Sequence, residues 1–124
     1  MITDLELLFN NFGVVEDMLS LPIQNEAKTL ALNVSLARIV KLVEDRRVDV
    51  NKLCESGRYK GLAAIHICAK HGELANLMKF LIDHGADVNL QDANEGKTPL
   101  MFAIEGAGKK PSNSPKKNVV QSDE

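Results

Sequence analysis

The stretch His84-Gly85-Ala86-Asp87-Val88-Asn89, followed by Gly96-Lys97-Thr98-Pro99-Leu100, decides the fold. Its Asp-Val-Asn also stands at residues 49–51, and the apolar run that begins at Gly96 has an earlier copy that begins at Gly61. These intervals give a period of about 35 to 38 residues, which is typical of stacked repeats that need a neighbour to bury their apolar faces. The sequence therefore predicts a helical solenoid.

The order of signals within one period resembles the ankyrin repeat. A glycine precedes a Thr-Pro-Leu helix start, a second apolar helix follows, and Gly-Ala-Asp-Val-Asn closes the unit. The resemblance implies an all-α, ankyrin-type helix-pair solenoid with projecting hairpin fingers, a degenerate N-terminal repeat and an incomplete C-terminal repeat. It also implies a protein-binding surface, although the fold does not name the partner.

The resemblance divides the chain into three regions. Residues 1–24 are predicted to be an N-terminal helical cap, with a loosely ordered leader as the alternative. The repeats occupy residues 25–105, as units at 25–51, 61–89 and, in part, 96–105. Residues 106–124 are rich in Gly, Ser, Pro and Lys. They cannot bury enough apolar surface to offset their ordering entropy, so a disordered polar tail is predicted.

The cap and the first repeat lack the clearest signals. The cap is predicted to form two short helices, interrupted at Gly13 and ended before Pro22. The first repeat aligns with the second when Ala27 is placed on Ile65, which predicts helices at 26–33 and 36–44. Arg46-Arg47 stands where the later copy has His84-Gly85. Arginine adopts a left-handed conformation only with strain, so this repeat is predicted to end differently.

The second and third units are better preserved. In the second unit, helices are predicted at 63–71, ended by Gly72, and at 74–84, closed by Gly85. The third unit predicts one helix at 98–105, with Pro99 in the first turn, where its missing N–H costs least. No second apolar helix pattern follows.

Composition excludes several classes of protein. The chain has 124 residues and a net charge of -2, so no general attraction to nucleic acid or to an anionic membrane is expected. No apolar run is long enough to span a bilayer, and Met1-Ile2-Thr3-Asp4 does not resemble a secretion signal. An intracellular location, cytoplasmic or nuclear or both, is therefore expected. Two cysteines do not make a disulfide framework.

The histidines and cysteines do not predict catalysis or metal binding. His66, Cys68 and His71 diverge around a helix, His66 and His71 by about 140°, whereas metal ligands must converge. Cys68 is predicted to be a small core residue. His66 stands where the ankyrin motif has its histidine, which implies a hydrogen-bonding tie between the helix start and the adjacent loop. Met101 takes this place in the third unit. No enzyme activity, cofactor or metal is predicted.

The fingers and the exposed sides of the first helices form the predicted concave binding surface. Residues 52–60 make an unusually long first finger, in which Tyr59 is expected to be an exposed contact residue, although loop insertions are often neutral. The acidic pairs Glu16 with Asp17 and Asp92 with Glu95 are expected to face solvent. The predicted partner-binding residues are Arg58, Tyr59, Lys70, His71, Asp92, Asn94 and Glu95.

The second finger, Val88 to Thr98, resembles that of I-kappa-B-like proteins, of which short viral or insect members are the nearest comparison. This resemblance implies an inhibitor that masks a Rel-type transcription factor. Two alternatives are open. The chain is a truncated form of a larger ankyrin scaffold that self-associates through exposed Leu100, Phe102 and Ile104, or it is an enzyme of unknown type.

The tail contains two short motifs. Ser114-Pro115-Lys116-Lys117 resembles a proline-directed phosphorylation site, where a phosphate would add about two negative charges beside lysines. Lys109-Lys110 together with Lys116-Lys117 resembles a split nuclear import signal.

Overall fold

A computed structural model describes residues 2–108 of the chain. In this part, helices are the regular elements: α1 (Asp4–Ser20), α2 (Glu26–Glu44), α3 (Ala64–Lys70), α4 (Ala75–Asp83) and α5 (Pro99–Gly108), with 3₁₀ turns at Gly57–Tyr59 and Gly72–Leu74. The predicted all-α class is confirmed. No helix in this part is both long and apolar enough to cross a membrane. Ser114 and both lysine pairs of the tail lie outside the described residues.

The N-terminal region forms one helix rather than the predicted two. Thr3 and Glu6 form a reciprocal capping box, and the helix continues through Gly13 to Ser20, just before Leu21-Pro22. A glycine inside a helix costs only about 1 kcal/mol. Burial of one face of α1, including Phe12 and Val15, outweighs that cost.

The first repeat also departs from prediction, because α2 is continuous across both predicted helices. Asn25 caps its start by accepting the N–H of Lys28 at 2.9 Å. In the second unit Gly72 separates α3 from α4, whereas Val34 occupies the aligned position in α2. Without a glycine or proline between 26 and 44, nothing ends the helix there. Since α2 is a single helix, its packing partner is not a second helix within residues 26–44 but α1, which also packs against α3.

The end of α2 resembles the end of α4, contrary to prediction. Arg46 adopts a φ of 56°, and the N–H of Arg47 donates to the carbonyl of Leu42 at 3.0 Å. At α4, Gly85 has a φ of 98°, and Ala86 makes the same bond to Leu81 at 2.9 Å. Both patterns are those of a Schellman cap. Arg46 thus takes the position that Gly85 occupies in the later unit. Two residues separate Arg46 from Asp49, whereas one separates Gly85 from Asp87.

The repeated Asp-Val-Asn segments form matching turns that also join the units. The carboxylate of Asp49 accepts the N–H of Asn51, and that of Asp87 accepts the N–H of Asn89, both at 2.9 Å. The Asn51 amide then donates to the carbonyl of Gly85 at 3.0 Å and accepts the N–H of Asp87 at 2.8 Å. One asparagine side chain therefore fixes the spacing between consecutive turns.

The core runs through the described helices as one cluster. Ile39 and Val43 of α2 share it with Leu77 and Leu81 of α4, so the predicted apolar stripes of the two units are buried together. The largest fully buried side chains are Phe12, Leu8, Ile39, Ile65, Ile67, Leu81, His66, Val15, Pro99 and Cys68.

Helix α5 packs against α3 and carries an exposed apolar surface. Leu100 and Ile104 are 69% and 62% exposed, as predicted, but Phe102 is buried and its ring centroid lies 5.1 Å from that of His66. The helix extends three residues beyond the predicted boundary at 105. At Gly106 a Cβ would lie 2.5 Å from the carbonyl oxygen of Lys70, so this close approach to the end of α3 requires glycine.

Candidate functional site

The first finger folds back through two backbone hydrogen bonds. The N–H of Cys54 donates to the carbonyl of Leu62 at 2.7 Å, and the N–H of Gly61 donates to the carbonyl of Cys54 at 2.9 Å. Between them, the turn Gly57–Tyr59 brings Arg58 and Tyr59 into contact with α1. The long finger predicted from the sequence therefore turns inward at this point.

Tyr59 is not the exposed residue that was predicted. It is 5% exposed, and its ring lies beside that of Phe9, with centroids 6.0 Å apart. Its hydroxyl donates a hydrogen bond to the carboxylate of Glu16. Tyrosine suits such a place because the ring is buried while the hydroxyl finds a polar partner. Tyr59 joins the finger to α1.

Glu16 was expected to face solvent, but it is 7% exposed and lies at the centre of a polar cluster. One carboxylate oxygen accepts from Tyr59 and from the Nη2 of Arg58 at 3.2 Å. The other accepts from Nε2 of His71 at 2.6 Å and lies 3.7 Å from Nζ of Lys70. We call these five side chains the Glu16 cluster. It connects α1 to the first finger and to the end of α3.

Opposing effects determine the protonation of Glu16. Burial disfavours its charged form, but hydrogen bonds from Tyr59 and His71 and the positive charge of Lys70 outweigh burial and lower the pKa of Glu16. For Tyr59, burial and the bond to Glu16 raise the pKa. Glu16 is therefore ionised and Tyr59 protonated at neutral pH.

This lowered pKa predicts a specific dependence of stability on pH. A carboxyl group whose pKa is lower in the folded state stabilises the fold above its ordinary value of 4.5, and the stabilisation is lost as pH falls through the folded value. Urea unfolding from pH 7 to pH 3 should show wild type losing stability relative to the always-neutral variant Glu16→Gln. A constant difference between the two proteins over this range would contradict the prediction.

Arg58 bridges the buried and the exposed parts of the cluster. Besides Glu16, it donates to Asp17 at 3.1 Å, and this bond raises the pKa of Arg58 despite partial desolvation. The Asp17 side chain is 62% exposed, and about half of the Arg58 side chain is exposed. Lys70 and His71 are partly exposed. Three of the predicted partner-binding residues thus reach solvent within one cluster.

The second finger contains the other three predicted contact residues. Asp92 is buried, contrary to prediction, because its carboxylate accepts the N–H of Lys97 at 2.6 Å and closes the turn. Asn94 is exposed, and its amide donates to the carbonyl of Lys60 at 2.9 Å, which joins the two fingers. Glu95 is exposed and pairs with Lys97 at 2.8 Å. Asn94 and Glu95 remain accessible for contacts, whereas Asp92 does not.

The predicted tie at His66 is confirmed. Its Nδ1 accepts the N–H of Ala63 at the start of α3 at 2.9 Å, and its Nε2 lies 2.7 Å from the carbonyl of Leu90. A backbone N–H only donates and a carbonyl only accepts, so the proton is on Nε2. The tie forms without the Thr-Pro that ankyrin motifs usually have here.

The cysteines occupy different surroundings. Cys68 is buried, as predicted, and burial raises the pKa of its thiol to about 12, which disfavours the nucleophilic thiolate. Cys54 is half-buried, and its thiol donates to the carbonyl of Ser56 at 3.1 Å. Among residues 2–108, no three His, Cys, Asp or Glu side chains are grouped to hold a metal ion.

A groove of about 700 Å³ separates α1 from the first finger. Phe9 and Gly13 form part of its wall, and the acidic side chains Glu6, Asp17 and Glu55 line it together with Arg58. The groove and the Glu16 cluster share Arg58 and Tyr59.

The role of Glu16 was missed, although its spacing contained a signal. It follows Phe9 by seven residues and Phe12 by four, which places all three on one helix face. An acidic residue on an apolar face indicates a buried partner. The partners themselves come from a distant finger and from α3, and only the tertiary structure identifies them.

Comparison with known proteins supplies the family context. The sequence profile described as ankyrin repeats, in three copies, matches residues 28–111. NF-kappa-B inhibitor cactus from Drosophila melanogaster and that from Drosophila yakuba are each 38% identical over 52 residues, which is 42% of this chain and 10% of the relative. Human B-cell lymphoma 3 protein is 35% identical over 51 residues, 41% of this chain and 11% of the relative. No solved structure matches the chain significantly.

Proposed function

Because the chain belongs to the ankyrin repeat family, we propose that it acts as a non-enzymatic protein-binding module that inhibits a Rel-type transcription factor by masking it. Ankyrin repeats bind other proteins, and inhibition requires only occupancy of a surface. Such a protein would act in the cytoplasm, the nucleus or both.

The proposed inhibitory role depends on one observation, the 38% identity to NF-kappa-B inhibitor cactus over 52 residues. The matched segment is about a tenth of the length of cactus. Cactus is named as an NF-kappa-B inhibitor, and we extend this role to the present chain.

The fingers support a binding role because they are held in place before any partner arrives. Asn51 ties the first Asp-Val-Asn turn to the second, and Asn94 ties the second finger to the first. The N–H of Ala93 also donates to the carbonyl of Gly61 at 2.9 Å. A preorganised surface loses little conformational entropy on binding, which favours affinity.

A second candidate function is self-association through the exposed apolar face of α5. Leu100 and Ile104 lie one helical turn apart on α5 and are mostly exposed, as is much of Met101. Adjacent exposed apolar side chains mark interaction sites when they form a patch. In this case a second copy would cover α5.

Sedimentation velocity of the full chain, alone and with a Drosophila Rel homology domain, distinguishes the two candidates. Inhibition by masking predicts a one-to-one complex that Glu95→Lys weakens, whereas the matched change Glu44→Lys on α2 does not. Self-association predicts larger species at rising concentration, which Leu100→Lys with Ile104→Lys abolishes. A chain that stays monomeric and does not bind the Rel domain would contradict both functions.

A further inference from the structure

Two carboxylates of α1, those of Glu16 and Asp17, bind side chains that were predicted to contact a partner. Arg58 and Tyr59 of the first finger, and Lys70 and His71 at the end of α3, lie around Glu16, and Arg58 also binds Asp17. Helix α1 precedes the segment, 28–111, that matches the ankyrin profile. A segment outside the matched repeats thus satisfies polar groups on the repeat surface.

The two carboxylates differ in how firmly they are held. Glu16 is buried and accepts hydrogen bonds from Tyr59 and His71, so its removal leaves these two donors without an acceptor. Asp17 is mostly exposed and pairs only with the half-exposed Arg58 in the described part of the chain. Exposed ion pairs contribute about 0 to 1 kcal/mol. The bond between Asp17 and Arg58 therefore opens at small cost.

We propose that Arg58, with Lys70 beside it, is the anchor for an acidic segment of a partner protein, and that Asp17 occupies this anchor in the free chain. Arg58 and Lys70 approach opposite oxygens of Glu16, so both positive charges lie close together. Their charge is balanced by Glu16 and Asp17. When a partner's carboxylate replaces Asp17, it accepts the charge-assisted hydrogen bond from Nη1 of Arg58, while Nη2 stays bonded to Glu16.

The surrounding charges set the direction of approach. On the groove side, Glu6 and Glu55 line the same groove as Arg58 and repel an acidic segment. On the side of α3, the partly exposed ammonium group of Lys70 attracts it. The acidic segment therefore approaches over the end of α3. This inference rests on the proposed protein-binding function and specifies the chemistry of the partner at that surface.

Fluorescence anisotropy with a labelled hexaglutamate peptide tests the proposal on the full chain at low salt. Asp17→Asn should bind the peptide about five-fold more tightly than wild type, the effect of one exposed ion pair of about 1 kcal/mol. Adding Arg58→Gln to this variant should remove the gain. The matched change is Asp45→Asn, which alters net charge equally but affects the exposed pair with Lys41 on α2. It should leave affinity unchanged.

Equal gains for Asp17→Asn and Asp45→Asn, or no gain for Asp17→Asn, would overturn the acidic anchor. Circular dichroism should show that both variants fold, each losing less than about 1 kcal/mol of stability, because both carboxylates are exposed. An altered fold in Asp17→Asn would also overturn the proposal, since it requires Asp17 to be released at little cost. If the Rel domain still forms a complex while the peptide does not bind, only the acidic anchor fails, and the proposed inhibitory function stands.

Discussion

Replacing Glu16 by alanine is expected to lower the free energy of unfolding by about 2 to 3 kcal/mol. The change leaves the Tyr59 hydroxyl and the His71 ring without their acceptor and removes the carboxylate that lies between the positive charges of Lys70 and Arg58. Leaving a buried polar group unsatisfied costs about 1 to 3 kcal/mol, and this site contains more than one. Urea unfolding at pH 7, followed by circular dichroism, measures the loss.

The neighbouring carboxylate provides the control for this prediction. Asp17→Ala removes the same chemical group from the next position of α1, but the group is exposed, so a loss below about 1 kcal/mol is expected. Similar losses at Glu16 and Asp17 would mean that the Glu16 cluster does not stabilise the fold.

Replacing His66 by alanine is expected to cost about 2 to 4 kcal/mol. The imidazole is fully buried, bonds to Ala63 and Leu90 through its two nitrogens, and packs beside the ring of Phe102. The variant loses two hydrogen bonds and leaves a cavity between α3 and α5. The lost hydrogen bonds and the cavity both lower the free energy of unfolding, and the N–H of Ala63 that loses its acceptor is fully buried.

His84→Ala is the matched control for His66→Ala. Its Nδ1 lies 2.9 Å from the carbonyl of Phe80, four residues earlier, but His84 is exposed and water can replace the bond. A loss below about 1 kcal/mol is expected in urea unfolding. If His66→Ala unfolds at the same urea concentration as His84→Ala, the tie does not support the repeat.

Local signals predicted the second unit and the start of the third well. The Asp-Val-Asn turn, the glycine at 85 and the proline at 99 each act on the backbone within a few residues, and the structure places helix boundaries close to the predicted ones. The continuity of α2 also had a local cause, since Val34 replaces the glycine that separates α3 from α4. The prediction of two helices followed from aligning this segment with the later repeat, and it did not take the change from glycine to valine into account.

Non-local packing explains most of the remaining errors. Tyr59 has the composition of a finger residue, yet it is buried against Glu16, which lies 43 residues away in the sequence. The error at Asp92 is local, because its carboxylate accepts the N–H of Lys97, five residues later, and closes a turn. The position of α1 decides whether Arg58, Lys70 and His71 are free or engaged. Sequence spacing could place Glu16 on the apolar face of α1, but it could not identify the side chains that bind the carboxylate.

The most direct test of the account is a double-mutant cycle between Glu16→Ala and Tyr59→Phe, measured by urea unfolding at neutral pH. If Glu16 fastens α1 to the first finger, the two changes should be non-additive, with a coupling free energy of at least about 1 kcal/mol. Costs that add to within about 0.5 kcal/mol would show that the two side chains act independently and would contradict the central claim.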